Sequence, residues 1–223
     1  MTFNAKQAGS AGGKERIEQA PIDPGTYPGR LVQLIDLGLQ PQKAYQGTAK
    51  PPMQEIILTY ELADVFMKDA DDNDVEDKPR WVGETLPFHN LKADKAKSTQ
   101  RYNAFDPKGD WDGDLSKALG QPINIILVNN KVGDKIYTNV AGLSAMRAKD
   151  AEKCPALQNP TTLFSLDEPD LTVFNKLPKW IQTKIQGNLN YNGSKLQKLL
   201  GGQKPDEKAP VKEKEAVDSD SPY

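Results

Sequence analysis

Short segments in which apolar and polar residues alternate constrain the fold of this 223-residue chain more than any other feature. An alternation with a period of two is typical of a β-strand with one buried face. Leu31, Gln33 and Ile35 follow it, and further strands are predicted at residues 55–62, with a continuation to 66 left open, 80–88, 123–129 and 135–143. Residues 91–105 are rich in Ala, Lys, Gln and Arg, which predicts a helix with a basic face. The predicted order is therefore three strands, one helix and two strands.

This order is that of an OB-fold, a small five-stranded barrel whose sheet face and loops bind oligonucleotides. We predict a mainly β fold with added helices: an OB-fold five-stranded barrel with a C-terminal helical extension and disordered tails. The predicted parts are a disordered N-terminal lead-in at 1–20, the barrel at 21–148, a helical extension packed on the barrel at 149–200, and a disordered acidic tail at 201–223.

The C-terminal extension is predicted from an apolar stripe. Residues 170–174, 178–189 and 193–200 are expected to be helical, after a stretch of coil punctuated by prolines. In the middle segment, Trp180, Ile181, Ile185 and Leu189 are expected on one stripe that packs against the barrel.

The tail after residue 200 has too little apolar surface to offset the entropy of ordering its backbone. It carries six acids and ends in Asp218-Ser-Asp-Ser-Pro-Tyr223. An acidic tail with a terminal aromatic residue resembles the tails of bacterial and bacteriophage single-stranded DNA-binding proteins, which dock on basic pockets of replication enzymes. Asp218, Asp220, Pro222 and Tyr223 are therefore the predicted partner-binding residues. A tail that only adds solubility is the alternative.

The distribution of charge is more informative than the net charge of −2. Residues 64–77 carry seven acids against Lys68 alone, which is typical of an acidic hairpin loop. Without this segment and the tail, residues 1–203 carry 24 bases and 18 acids, so the body could attract a polyanion.

Aromatic and basic residues are interleaved in the predicted loops and strand ends. Binding of single strands needs both, since cations neutralise phosphates and aromatic faces stack on bases. The predicted single-stranded DNA-binding residues are Lys43, Tyr45, Lys50, Arg80, Trp81, Arg101, Tyr102, Lys131, Lys135 and Tyr137. For each aromatic residue the alternative is packing in the core, and for each lysine it is an ordinary solvated surface.

Catalysis has little support in the sequence. His89 is the single histidine and has no nucleophile motif nearby, and Cys154 is the single cysteine. Asp110-Trp-Asp-Gly-Asp114 imitates the start of a calcium loop but lacks its later glycine and glutamate. We predict no enzyme activity, no cofactor and no metal site.

Four segments taken in order resemble a family of small, OB-fold-like bacteriophage early proteins, several of which are regarded as single-stranded DNA-binding proteins. They are Pro24-Gly-Thr-Tyr-Pro-Gly-Arg-Leu31, Trp81-Val-Gly-Glu-Thr-Leu-Pro87, Gly133-Asp-Lys-Ile-Tyr-Thr-Asn-Val140 and Leu177-Pro-Lys-Trp-Ile-Gln-Thr-Lys-Ile185. The resemblance implies a non-enzymatic protein that protects single-stranded DNA in phage replication or recombination, and it favours DNA over RNA.

Two hypotheses of function stay open. The first is a single-stranded DNA-binding protein that recruits a polymerase, helicase or nuclease through its tail. The second is a protein-interaction module or DNA mimic that binds a host replication or nuclease enzyme. For either, we expect a location in the cytoplasm of the infected bacterial host, with no membrane contact, because no long apolar segment is present. The oligomeric state is also open, with a homodimer as one alternative.

Overall fold

The computed structural model describes residues 19–202, and the sheet runs through most of their length. Its strands are β1 (Gly25–Gln40), β2 (Met53–Lys68), β3 (Asp74–Pro87), β4 (Pro122–Val132), β5 (Lys135–Ser144) and β6 (Thr162–Phe164). The helices are α1 (Lys97–Phe105), α2 (Ala148–Lys153), α3 (Leu171–Lys176), α4 (Lys179–Gln186) and α5 (Lys195–Leu199), and Leu115–Ala118 forms one turn of 3-10 helix. The predicted order of strands, helix and strands is confirmed.

The first five strands form a curled antiparallel half-barrel in the spatial order β3-β2-β1-β4-β5. This is the neighbour order of an OB-fold opened between β3 and β5, so the predicted OB-like fold is confirmed. The short strand β6 adds a parallel partner to β1 at residues 33–35, beyond the stretch that pairs with β4. The sequence did not predict β6.

The interior of the half-barrel contains the alternate apolar residues of the strands. Leu58, Tyr60 and Leu62 of β2 face Ile123 and Ile125 of β4, and all five side chains are buried. At about 25 cal/mol per Å² of apolar surface, burial of each aliphatic side chain contributes roughly 1.5–3 kcal/mol. The period of two that predicted the strands therefore also determines which residues form the core.

Two glycines let other segments approach β1 closely. A Cβ atom at Gly29 would lie 2.5 Å from the carbonyl oxygen of Glu61 on β2. Gly38 has a φ of 77° at a bulge of β1, and a Cβ atom there would lie 2.7 Å from Asn188 and 2.8 Å from Leu166. Positive φ and the lack of a side chain make glycine the residue that fits this second position.

Helix α1 closes the gap between the two edge strands. Arg101 on α1 donates to both carboxylate oxygens of Glu84 on β3, at 2.8 and 3.0 Å. The same guanidinium donates to the carbonyl oxygens of Val140 and Ala141 on β5, at 3.3 and 3.4 Å. One buried side chain therefore joins strands that have no backbone ladder between them in the described structure.

The C-terminal extension covers the outer face of β1 and β2. Ile35, Leu37 and Ile57 point away from the barrel interior and form a second core with residues of the extension. That second core includes Phe164, Phe174, Ile181, Ile185, Tyr191 and Leu196. Helices of five to eight residues are unstable in isolation, so α3, α4 and α5 depend on this packing.

Buried polar contacts fix the extension in place. The Glu61 carboxylate accepts from the backbone N–H of Gln158 at 2.7 Å and from the Asn159 side chain at 2.6 Å. The Asp36 carboxylate accepts from the backbone N–H groups of Gly38 and Leu166. Burial raises the pKa of Asp36 although these hydrogen bonds oppose the rise.

Helix α2 was not predicted, and the bounds of two other helices differ from the predictions by more than two residues. Residues 91–96 form successive turns, with hydrogen bonds from Ala93 to Asn90 and from Ala96 to Ala93, so α1 begins only at Lys97. Helix α4 ends at Gln186 because Gly187 caps it, which leaves Leu189 outside the helix. Among residues 19–202, no helix has the length and apolar character needed to cross a membrane.

Candidate nucleic-acid interface

The loop between β1 and β2 presents the first group of predicted binding residues, Lys43, Tyr45 and Lys50. Tyr45 and Thr48 exchange two backbone hydrogen bonds of 2.9 Å, and the residues between them, Gln46 and Gly47, have positive φ. This tight turn exposes the Tyr45 ring, which is 37% exposed. The ammonium of Lys50 lies 4.8 Å from the ring centroid, within the range of a cation–π contact.

Further lysines gather at this end of the barrel. Strand β3 ends at Pro87 opposite Glu55, and the N–H of Phe88 donates to the carbonyl oxygen of Gln54 at 2.7 Å. The segment after β3 therefore leaves the barrel beside the β1–β2 loop, and it carries Lys92, Lys95, Lys97 and one acid, Asp94. We call this end, with Lys43, Tyr45, Lys50 and residues 88–97, the basic end.

The outer face of β3 leads to the basic end. Trp81, Gly83 and Thr85 are exposed and alternate with the buried Val82 and Leu86. The extension covers the neighbouring outer face of β1 and β2, so the open part of the outer sheet face includes this strip on β3. At about 3.3 Å per residue, it runs roughly 20 Å from Trp81 to Pro87.

Trp81 is held by its edge while its ring stays accessible. Its indole N–H donates to the Glu61 carboxylate at 3.0 Å, and the side chain is 40% exposed. Because Glu61 also holds residues 158 and 159, the ring orientation is coupled to the docking of the extension. Trp81 therefore presents a ring face in a fixed orientation, and its indole N–H already has a hydrogen-bond acceptor.

The other predicted residues on the surface lie at the opposite end of β1. Lys131, Lys135 and Tyr137 belong to the β4–β5 hairpin, which follows the stretch where Leu127 pairs with Gly25. Arg80 donates to the carbonyl oxygen of Ala20 at 3.0 Å, and burial lowers its pKa. The acidic β2–β3 hairpin, residues 69–77, is at the same end of the barrel as the β4–β5 hairpin.

Arg101 and Tyr102 lie inside the protein, and the expectation that they contact DNA is wrong. They are 2% and 3% exposed. Burial alone would lower the pKa of Arg101, but the hydrogen bond to Glu84 and its charge raise it. The Tyr102 hydroxyl donates to Asp106 at 2.9 Å and accepts from Gly113 N–H at 2.8 Å. Arg101 therefore faces its acceptors on β3 and β5, and this face of α1 points into the protein.

Trp180 is the aromatic residue that sequence reasoning misplaced. The apolar stripe predicts a buried Trp180, but this side chain is 53% exposed. Ile181 and Ile185 of the same helix, α4, are buried. Leu189 is also 53% exposed. On a helix with 3.6 residues per turn, Trp180 and Ile185 lie about 140° apart, so one stripe could not contain both. This geometry was available in the sequence.

The four tail residues Asp218, Asp220, Pro222 and Tyr223 lie outside the described residues, as do residues 1–18. In the described part, 19–202, no three His, Cys, Asp or Glu side chains are grouped so that they could hold a metal ion. Burial raises the pKa of the Cys154 thiol, against the opposing effect of Arg30, and a buried thiol of this kind is a poor nucleophile.

No known protein-family model matches the chain, and a search of the curated proteins gives no match either.

Proposed function

We propose that the protein binds single-stranded DNA without sequence preference, along the outer face of β3 and onto the basic end. One observation carries the proposal: an exposed strip with Trp81 leads to a lysine-bearing loop with an exposed Tyr45. OB-folds bind oligonucleotides through the face of strands 2 and 3 and the loops after strands 1 and 4. Here the extension covers part of β2, so β3 and the β1–β2 loop form the proposed site. The chemistry is backbone neutralisation by lysines and stacking of bases on aromatic rings.

The exposed rings favour a single strand over a duplex. In a duplex the base faces are covered by neighbouring pairs, whereas a single strand can turn its bases onto Tyr45 and Trp81. Each such stack contributes roughly 1–3 kcal/mol, and every base has a face that can make it. Gly83 and Thr85, which follow Trp81 along the strip, are small and uncharged, so they neither block nor repel a bound strand of DNA.

The distribution of charge along β3 favours one end of the proposed DNA path. Asp74, Glu76 and Asp77 are exposed at the beginning of β3, while Lys92, Lys95 and Lys97 follow its end. A polyanion is repelled at the first end and attracted at the second, so its phosphates lie nearest the basic end. In the proposed function, the acidic tail then recruits a replication or recombination enzyme in a phage-infected bacterial cytoplasm.

A second candidate function rests on the acidic hairpin between β2 and β3. It carries the exposed acids Asp71, Asp72, Asp74, Glu76 and Asp77, of which Asp74 pairs with Lys68. A module that presents this hairpin to a basic pocket of a host enzyme would bind protein and not DNA. It differs from the first candidate in requiring no contact at Tyr45 or Trp81.

The test is a titration of labelled oligo-dT and of a matched duplex with the full chain, at low and at moderate salt. We expect tight binding to oligo-dT, weak binding to the duplex and a steep loss with salt. The double variant Lys43→Gln/Lys50→Gln should reduce the salt slope by about 1.4, at ~0.7 for each phosphate contact on a single strand. Lys149→Gln/Lys153→Gln on α2 is the control and should change little. If oligo-dT does not bind, the proposal fails and the acidic hairpin becomes the feature to test.

A further inference from the structure

The C-terminal extension has an exposed surface that the barrel does not explain. Helix α4 packs Ile181 and Ile185 into the second core and leaves Trp180 exposed. Trp180 is not part of the second core, and more than half of its surface is accessible to solvent. Lys179 lies beside it and bonds to Gln182 at 3.2 Å.

The helices of the extension carry an excess of cations, although Asp170 precedes α3 and Asp167 and Glu168 line a groove together with Lys195 and Lys198. Residues 171–202 contain Lys176, Lys179, Lys184, Lys195 and Lys198 and no Asp or Glu. A surface of this kind complements a polyanion, and it combines cations with an aromatic face, as single-strand binding requires. An acidic protein would be matched by the lysines but would make no specific use of the indole face.

Helix α4 and the residues after it are attached to the ends of β1 and β2 that flank the β1–β2 loop. Lys184 pairs with Glu55 at 2.8 Å, and its carbonyl oxygen accepts from the Gln40 side chain at 3.0 Å. The N–H of Leu189 donates to the carbonyl oxygen of Leu39 at 2.9 Å. Trp180 is one helical turn before Lys184, so it lies on the same face of α4 as the side chain that pairs with Glu55.

We infer that the extension continues the single-stranded DNA path beyond the barrel, with Trp180 as a stacking platform and Lys176 and Lys179 as phosphate contacts. A strand that leaves Tyr45 passes Glu55, which Lys184 neutralises, and reaches α4. This inference rests on the proposed function, since it places a further binding residue on the same ligand. It also predicts that long oligonucleotides bind more tightly than short ones, which reach only the barrel.

The experiment compares Trp180→Ala, Trp180→Phe and Leu189→Ala in the full chain. Trp180→Ala should weaken binding of a long oligo-dT by roughly 5- to 150-fold, which corresponds to the loss of one stack. Trp180→Phe should restore most of the affinity, because phenylalanine also offers a ring face. Leu189→Ala removes an equally exposed apolar side chain from the same extension and should bind like the unsubstituted chain.

Two readouts separate the possible failures. The gain in affinity with oligonucleotide length should disappear in Trp180→Ala, and Lys176→Gln/Lys179→Gln should lower the salt slope by about 1.4. Unchanged affinity and length dependence in these variants, with the unsubstituted chain binding oligo-dT, would overturn the inference and leave the barrel site standing. Absence of binding by the unsubstituted chain would instead refute the proposed function. If Trp180 instead contacts a protein partner, its variants should bind oligo-dT with unchanged affinity and unchanged length dependence.

Discussion

Replacement of Arg101 by alanine tests how the half-barrel is closed. The guanidinium joins Glu84 on β3 to the carbonyl oxygens of Val140 and Ala141 on β5, and it is 2% exposed. Alanine removes every one of these hydrogen bonds. It also leaves the Glu84 carboxylate, which is 10% exposed, without its cation.

The expected loss is large because the pair is buried. Removal of one partner of a buried ion pair costs about 3–5 kcal/mol, most of which is the charge left behind. The hydroxyl of Tyr60 also donates to Glu84 at 3.0 Å, but it cannot replace the bidentate contact of an arginine. Domains of this kind are stable by about 5–15 kcal/mol, so Arg101→Ala should lose about a fifth or more of the free energy of unfolding.

Urea unfolding followed by circular dichroism measures this loss. With a slope of about 2 kcal/mol/M, the midpoint should fall by roughly 1.5–2.5 M. Arg147→Ala is the matched control, because Arg147 also makes an ion pair of 2.8 Å, with Asp150, but is 88% exposed. That control should cost less than about 1 kcal/mol. The double variant Arg101→Met/Glu84→Gln should recover much of the loss, since it leaves no unpaired charge.

A midpoint for Arg101→Ala that matches that of Arg147→Ala would refute the reasoning. So would a double variant that is less stable than Arg101→Ala. In either case, closure of the barrel would depend on the apolar contacts of α1 and not on the buried ion pair.

Three further predictions concern the extension and the pH dependence of stability. Gly38→Ala should cost about 1–3 kcal/mol more than Gly47→Ala in urea unfolding, because both have positive φ but only Gly38 is crowded; equal losses would contradict this. Glu61→Gln should speed backbone amide exchange at Gln158, whose N–H loses its carboxylate acceptor, and unchanged protection would contradict the role of Glu61 as an anchor. Burial alone would raise the pKa of Asp106, but hydrogen bonds from Trp111 N–H and other donors hold the pKa below its ordinary value of 3.8. The contribution of Asp106 to the stability of the fold is therefore fully present above pH 3.8 and is lost as the pH falls through the pKa of the folded state. Asp106→Asn should therefore be less stable than the unsubstituted chain at neutral pH and should lose less stability on acidification. An equal loss of stability on acidification in both proteins would contradict this.

The sequence predicted the strands because each strand has its own local pattern. Alternation in residues 31–35 and the β-branched run of β2 are visible without any partner. The burial of Arg101 could not be predicted in this way, since its acceptors come from β3 and β5. The same holds for β6, whose three residues form a strand only because β1 offers them a free edge.

Some of the predicted binding residues are accessible and others are not. Tyr45 in the β1–β2 loop and Trp81 are exposed, as binding residues must be. The predicted binding residues, however, come from opposite ends of β1, and the sequence did not separate the two groups. A local pattern cannot show which outer face another segment covers, and here the extension covers β1 and β2. The exposure of Trp180 is different, because the angular spacing of α4 residues already separated it from Ile185.

The attachment of the extension to β1 has a consequence for synthesis of the chain. Asp36 and Leu166 bond across 130 positions, and β6 pairs with β1 over a similar distance. At about 5–20 residues per second, a ribosome needs roughly 6–26 s to make the segment that covers the outer face of β1. Until then Ile35, Leu37 and Ile57 of the nascent chain face solvent, so rapid production of many copies at once favours aggregation over folding.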